Sequence, residues 1–333
     1  MATYKGIQGY TVQKLSSDPT ASEVAGQLWY NSTSGKFKIS AGSAGAWASG
    51  ADLNEARNQM GAAGVSNTSS LVFGGSEPAA SAKAEEYNGT AWTEKADLNN
   101  ARSELVGLGI QTAALAVGGA PPATAGYTEA WDGTSWTSKN VLSRGSATPQ
   151  ASAYAMGSGA TTSALFYGGD EGASIQDLCE SFDGTSWTEV ADLNGGKSYA
   201  VGAGTSNTSA ITYGGYPSVL DETEVFDGTS WTEVANLNTA RTRNSGACQG
   251  TATLSLCFGG DSTPDHLTAT ESWDGTSWTN LASLATGVND SGGSGVQSSA
   301  MSVGGTNAPS PQGVVGTEAW NDPVYTVKTV TVS

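Results

Sequence analysis

The chain has 333 residues and sets 31 acidic side chains against 14 basic ones, a formal net charge of −17. That balance disfavours a nucleic-acid backbone as partner, because such a partner needs positive charge spread over a face. Ten tryptophans and 45 glycines describe a well-packed β protein and exclude disorder, and no apolar run is long enough to span a bilayer.

The first 45 residues carry Lys5, Lys14, Lys36 and Lys38 against Asp18 and Glu23, a local net charge of +2. The opening MATYKGIQGYTVQKL lacks the apolar centre of a secretory signal. Residues 26–39, GQLWYNSTSGKFKI, predict a hairpin: an aromatic strand, a polar turn, then alternating Lys-Phe-Lys-Ile. Residues 1–45 are therefore expected to form an attachment segment distinct from residues 46–333. Ala46-Trp47-Ala48 predicts a further strand.

From there the chain repeats itself. Six double glycines, Gly74-Gly75, Gly118-Gly119, Gly168-Gly169, Gly214-Gly215, Gly259-Gly260 and Gly304-Gly305, recur at intervals of 44 to 50 residues. Each follows a short apolar strand, and a pair of glycines there permits a positive φ or a close backbone approach. Before that strand lies a Gly/Ala-rich stretch, whose small side chains suit a crowded innermost position. After the glycines comes a variable loop, then a Glu two residues before an aromatic, then Asn-Gly or Asp-Gly, then Trp. The unit Leu237–Ala282 shows the whole order, with Asp274-Gly275 expected to make a tight hairpin turn between Trp273 and Trp278. A period in the mid-forties built from four short strands predicts a β-propeller of six blades. Two strands compete to close it, the Trp47 strand and residues 324–332. The alternative is a seventh, hybrid blade that uses Leu28–Asn31, Lys36–Ile39, the Trp47 strand and the C-terminal strand.

Glu85, Glu129, Glu180, Glu224, Glu271 and Glu318 hold one position in all six units. Arg57, Arg102 and Arg241 stand at the start of the inner strand, with Arg144 and Lys197 near the equivalent place and Gly287 in the sixth unit. Recurring acid and base positions predict paired groups that lock the repeat. Glu318, without a base, is expected to find backbone donors, water or a shifted pKa. Trp92, Trp136, Trp187, Trp231 and Trp278, with Trp47 as their counterpart, are expected to fill space between blades. Cys179, Cys248 and Cys257 are expected to be buried free thiols.

No positioned chemistry stands out. The sole histidine, His266, cannot supply a His cluster, and no CxxC or HExxH spacing exists, so neither metal, cofactor nor enzyme activity is expected. The loops after the double glycines differ while the framework repeats, which predicts a recognition surface on one face. Tyr216, Asp170, Glu171, Asp265 and His266 are its candidate ligand-binding residues.

Inner-strand arginine, double glycine, Glu beside Tyr/Trp and closing Trp together resemble the kelch family of β-propellers, over roughly Ala46 to Val327. Tyr325 stands in place of the closing tryptophan in the last unit, and Pro323 interrupts its turn. The Gly-Gln-Leu-Trp-Tyr-Asn…Gly-Lys-Phe-Lys opening, joined to WDGTSWTEVADLN-like and ALxFGG-like elements, looks like virion structural proteins of tailed phages. That resemblance implies a virion location, multiple copies in a particle, and docking to other virion proteins through the N-terminal segment. It further implies a tail- or fibre-associated role in attachment, with a host-surface glycan or protein as possible partner. Capsid decoration and a non-viral kelch-like interaction module are the alternatives.

Overall fold

The computed structural model describes residues 12–21, 26–42, 44–76, 78–120, 126–143, 153–171, 174–262, 265–307, 313–323 and 325–331. The chain divides into two compact units, Trp47–Asn321 and a smaller one made of Met1–Ala46 with Asp322–Ser333. In the smaller unit, Leu28–Asn31 pairs antiparallel with Lys36–Gly42, which pairs with Tyr325–Thr329, while Gln13–Leu15 adds a parallel edge. Asp18 ties this sheet down by accepting from the Trp29 indole and the Asn31 amide.

The large unit is all-β, built from four-stranded antiparallel sheets in a propeller-like arrangement. Sheet I holds Gly61–Ser66, Ser69–Phe73, Ala84–Tyr87 and Trp92–Lys95. Sheet II holds Val106–Ile110, Ala113–Val117, Thr128–Trp131 and Trp136–Lys139. Sheet III holds Met156–Ala160, Ser163–Tyr167, Cys179–Phe182 and Trp187–Glu189. Sheet IV holds Val201–Ser206, Ser209–Tyr213, Thr223–Phe226 and Trp231–Glu233. Sheet V holds Ser245–Gly246, Ser255–Phe258, Thr270–Trp273 and Trp278–Leu281. Sheet VI takes Gly292–Val296, Ser299–Val303 and Thr317–Asn321 from late in the chain and Ala46–Ser49 from early in it. The Trp47 strand thus joins sheet VI, whereas the C-terminal strand pairs with Lys36–Gly42.

The small residues of the first strands have a steric cause. A Cβ on Gly202 would come within 2.5 Å of the Gly157 carbonyl, and one on Gly293 within 2.3 Å of the Gly246 carbonyl, so neighbouring first strands touch backbone to backbone. Every residue of the six double glycines has positive φ, between 58° and 111°. The Asp-Gly turn lies where it is expected, between facing aromatics, and its loop is longer than Asp-Gly itself. Trp131 lies directly opposite Trp136, and the loop between them has four residues, with the Asp132 carboxylate accepting from the backbone N–H of Thr134 and Ser135. Thr and Ser after Asp-Gly complete an Asx-type loop, and this local bonding outweighs the two-residue turn that Asp-Gly alone favours.

Apolar packing runs between sheets. Phe73 of sheet I meets Trp136 of sheet II edge-on at 4.8 Å, as Tyr167 meets Trp231 and Tyr213 meets Trp278. Met301 and Val303 of sheet VI share a core with Val72 and Trp92 of sheet I. Indole donors cross the same seams: Trp187 to the Thr128 hydroxyl, Trp278 to Thr223 and Trp47 to Thr270, while Trp92 and Trp136 donate to the carbonyls of Ala51 and Ala96. Cys179, Cys248 and Cys257 are buried and form no disulfide among the described residues.

Within each sheet the repeated Glu is a junction. Glu271, fully buried, pairs with Arg241 at 2.5 Å and accepts from the backbone N–H of Asn238. The Arg241 guanidinium also donates to the carbonyls of Gly259 and Ala269. Arg57–Glu85 and Arg102–Glu129 repeat the pair at 2.5 Å, and Lys197–Glu224 at 2.7 Å. Arg144 lies outside the described residues, and Glu180 accepts from the backbone N–H of Ser143. Removing one member of such a pair strands a buried charge, whereas an apolar pair of similar size does not. Arg241→Met is accordingly expected to lower the unfolding free energy by about 3–5 kcal/mol, and Arg241→Met with Glu271→Leu to recover most of it. Urea unfolding of the three proteins checks this. A double variant no more stable than the single one would refute it.

Candidate functional site

Two residues beyond Arg57, Arg102, Lys197 and Arg241, and at one position in each of the other two repeats, the chain does something costly. Gln59, Glu104, Tyr154, Tyr199, Arg243 and Asp290 all adopt the left-handed conformation, with φ between 49° and 59°. They are the non-glycine residues with positive φ among the described residues. The six come one from each repeat and are joined by main-chain hydrogen bonds. Glu104 donates to Gln59, Tyr154 to Glu104, Tyr199 to Tyr154, Arg243 to Tyr199, Asp290 to Arg243, and Gln59 to Asp290, at 2.8 to 3.1 Å. Left-handed geometry costs a residue with a Cβ about 1 kcal/mol or more, and glycine almost nothing. A chain with 45 glycines places none at these six positions.

The side chains they bring are all polar or aromatic. The Tyr154 hydroxyl donates to the Glu104 carboxylate at 2.5 Å and accepts from the Gln59 amide at 3.0 Å. The Tyr154 and Tyr199 rings stack at 3.8 Å, and the Arg243 guanidinium lies over Tyr199 at 5.0 Å. Arg243 also reaches the Asp290 carboxylate at 3.5 Å. These groups line a cavity of about 120 Å³, and Met60, Ala155, Asn244 and Ser291 also border a neighbouring cavity of about 110 Å³ among the first strands.

Burial governs the electrostatics. It raises the Asp290 carboxyl to about 6, against the pull of Arg243 and with help from the nearby acids Asp261 and Glu104. It raises Glu104 as well, although the Tyr154 hydroxyl draws that carboxyl down. The tyrosine hydroxyls of Tyr154 and Tyr199 are pushed up, chiefly by burial, and stay protonated. The arrangement therefore offers hydroxyl and guanidinium donors beside two carboxyls that burial shifts towards their neutral form.

The candidate loop residues fall in three places. Asp170 and Tyr216 directly follow their double glycines and form β-bridges with Ala153 and Ser198, the residues before Tyr154 and Tyr199. Tyr216 is 46% exposed and meets Tyr199 edge-on at 6.3 Å, so it borders the ring. Glu171 lies one residue further out, its N–H bonded to the Ser174 carbonyl. His266 and Asp265 form a short hairpin with Asp261–Ser262, and His266 Nδ1 bonds the Asp261 carboxylate at 2.5 Å. Asp261 also accepts from Asn289, beside Asp290. Sequence reasoning passed over the ring itself. Its signal was five residue types across six equivalent positions, none of them glycine, inside an otherwise repeating stretch.

No protein-family model matches the chain, and no curated protein matches it. Solved structures do. The structure of YjhT, a bacterial multi-bladed β-propeller, superposes with a TM-score of 0.61 over 84% of this chain and 99% of that one, at 13% identity. At that identity the likeness speaks for the fold. The resemblance to tailed-phage virion proteins is corrected, because the structural likeness is to YjhT and gives that identity no support. The tail, fibre and capsid roles, the virion location and the virion-protein and host-surface partners are withdrawn with it. The expectation of no enzyme activity is withdrawn as well. The cause of both errors is physical. Framework residues encode packing that any such propeller needs, so their dialect carries no information about a particle, and the acid groups that could do chemistry lie outside every standard motif. Among the described residues no helix is long and apolar enough to cross a membrane.

Asp290 makes the ring pH-sensitive. The folded chain holds its proton up to about pH 6, whereas the unfolded chain releases it near 3.8. The folded state binds more protons across that window, so this group's contribution to stability falls as pH rises through it. The loss is on the order of 3 kcal/mol. Urea unfolding near pH 4 and pH 6.5 should show wild type losing about that much more than Asp290→Asn between the two conditions. Equal losses would contradict the raised carboxyl.

Proposed function

We propose that Trp47–Asn321 is a six-bladed, kelch-like β-propeller of a non-viral binding or enzyme module. Its ligand is a small hydroxyl-rich molecule held at the ring of Gln59, Glu104, Tyr154, Tyr199, Arg243 and Asp290. Six blades are supported by the circuit of six main-chain hydrogen bonds that returns from Asp290 to Gln59, and by the core shared between sheets VI and I. Residues 1–45 belong in this reading to a separate attachment segment.

The observation that carries the function is the strain. Six left-handed residues with functional side chains stand where glycine would serve the backbone better, and such strain gathers at ligand clamps. The ligand class follows from the groups present. A single guanidinium faces two carboxyls held towards their neutral form, which suits alternating hydroxyl donors and acceptors better than a polyanion. A cavity of about 120 Å³ is well below the roughly 300–1,000 Å³ of pockets for drug-sized ligands, so the ligand is small or enters by one ring-sized end. Proton transfer to a bound hydroxyl by Asp290 or Glu104 is the catalytic form of the same reading, favoured by an Asp290 carboxyl raised to about 6.

Saturation-transfer NMR of the full chain against a panel of neutral monosaccharides and polyols tests this. At least one should bind saturably, and Tyr199→Gly or Arg243→Gly should weaken it about tenfold or more. The same variants should stay within about 1 kcal/mol of wild-type stability, since glycine relieves the left-handed strain that offsets the lost contacts. No binder in the panel, or binding indifferent to both variants, would sink the reading.

A further inference from the structure

Sheet VI departs from the other sheets at its Glu junction. Main-chain bonding identifies the equivalent residues. The carbonyls of Arg57, Arg102, Lys197 and Arg241 each accept from the second glycine of a double-glycine pair, and in the sixth unit the carbonyl that does so belongs to Val288, accepting from Gly260. Val288, and not the neighbouring Gly287, therefore occupies the base position. The Asn that donates its side-chain amide in three other units, to Glu85 from Asn54, to Glu129 from Asn99 and to Glu224 from Asn194, is Ala285 here. Both donor side chains are thus truncated in one unit.

Glu318 accepts only the backbone N–H groups of Ala285 and Thr286, at 2.8 and 3.2 Å, and no Lys or Arg pairs with it among the described residues. The undescribed residues 308–312 contain no basic side chain. The space shows the consequence. Around Arg57, the cavity lined by Asn54, Glu55, Lys83 and Glu85 measures about 20 Å³. Its counterpart in sheet VI, lined by Ala285, Thr286, Val288, Gly316 and Glu318, measures about 340 Å³.

The acceptors of a guanidinium remain. In sheet V, Arg241 donates to the Gly259 carbonyl, the Ala269 carbonyl and Glu271. In sheet VI the same register positions are Gly304, Gly316 and Glu318, and all three border the cavity. We propose that this cavity is a binding site for a guanidinium group supplied from outside the chain, which the Glu318 carboxylate and the two carbonyls receive as their counterparts receive Arg241. A planar fork of donors matches a carboxylate flanked by carbonyls, and a lysine ammonium matches it less well. The site is separate from the ring and stands whether or not the ring binds hydroxyl-rich ligands.

Calorimetric titration of the full chain with L-arginine, L-citrulline and an acetylated, amidated Gly-Arg-Gly peptide tests it. Arginine or the peptide should bind saturably, and citrulline, similar in size but uncharged, at least about tenfold more weakly. Tight binding of the free amino acid alone assigns the site to a small molecule, and preference for the peptide assigns it to a partner's arginine side chain. Glu318→Gln should weaken binding about tenfold or more. Val288→Arg, which restores the side chain of the other units, should abolish binding and raise the thermal midpoint. Arg243→Gly should leave it unchanged, which separates this site from the ring. Absence of saturable binding by either probe, equal binding of citrulline, or undiminished binding by Val288→Arg would each overturn the proposal.

Discussion

A buried carboxylate organises each repeat of this protein. Glu271 takes an N–H from the turn that leads into its sheet and a guanidinium rooted at the start of the first strand, and it sits in the third strand itself. One side chain thereby fixes three segments that are distant in sequence. The guanidinium then satisfies the carbonyls of Gly259 and Ala269, so the charge and the main chain are neutralised together. This explains why acid and base meet in repeat after repeat although their separation changes, from 27 residues for Arg102–Glu129 to 30 for Arg241–Glu271. The loops are free to vary because the junction, and not the loop, sets where the third strand meets the first.

The junction also delivers the ring. From Arg241 two further residues lead to Arg243, and the intervening Thr242 is held by a bridge to Asp261 just past the double glycine. The positive φ of Gly259 and Gly260 lets the chain turn tightly enough for that bridge, and a Cβ on Gly260 would come within 2.7 Å of the Thr242 carbonyl. Arg243 is then carried into the left-handed conformation by its main-chain bonds to Tyr199 and Asp290. The strain at the ring is local, while the structure that sustains it is spread over ion pair, bridge and glycines. That separation lets the six ring side chains differ without disturbing the sheets.

Much of the framework was legible because packing leaves periodic marks. Double glycine, Glu, aromatic and Trp recur because each repeat solves the same steric problem, and their spacing predicted four-stranded units before any coordinate. Other features left weaker marks. Asp132-Gly133 marked the hairpin turn, but the contribution of Thr134 and Ser135 to its Asx loop is visible only in the bonding. The sixth base position read as Gly287, one residue early: the spacing from Leu237 to Arg241 recurs from Leu284 to Val288, and the Val288–Gly260 bond makes it plain. The ring was missed for a related reason. Asp170 and Tyr216, after the double glycines, stand out as loop residues and neighbour the ring, while Tyr154 and Tyr199 across the bridge belong to no motif.

Function resisted sequence reading because the same residues that announce the fold say nothing about what it holds. Glu85 and Glu271 are as prominent in the sequence as Glu318, yet the first two are consumed by Arg57 and Arg241 while the third faces open space. The informative residues in a repeat protein are those where one copy breaks the rule or where no rule is kept. Val288 and Ala285 break it, trading two donors for volume. Gln59, Glu104, Tyr154, Tyr199, Arg243 and Asp290 keep only the backbone part of it, a shared φ with six dissimilar side chains except for the two tyrosines. Packing explains neither set, because packing would have favoured arginine at the first and glycine at the second.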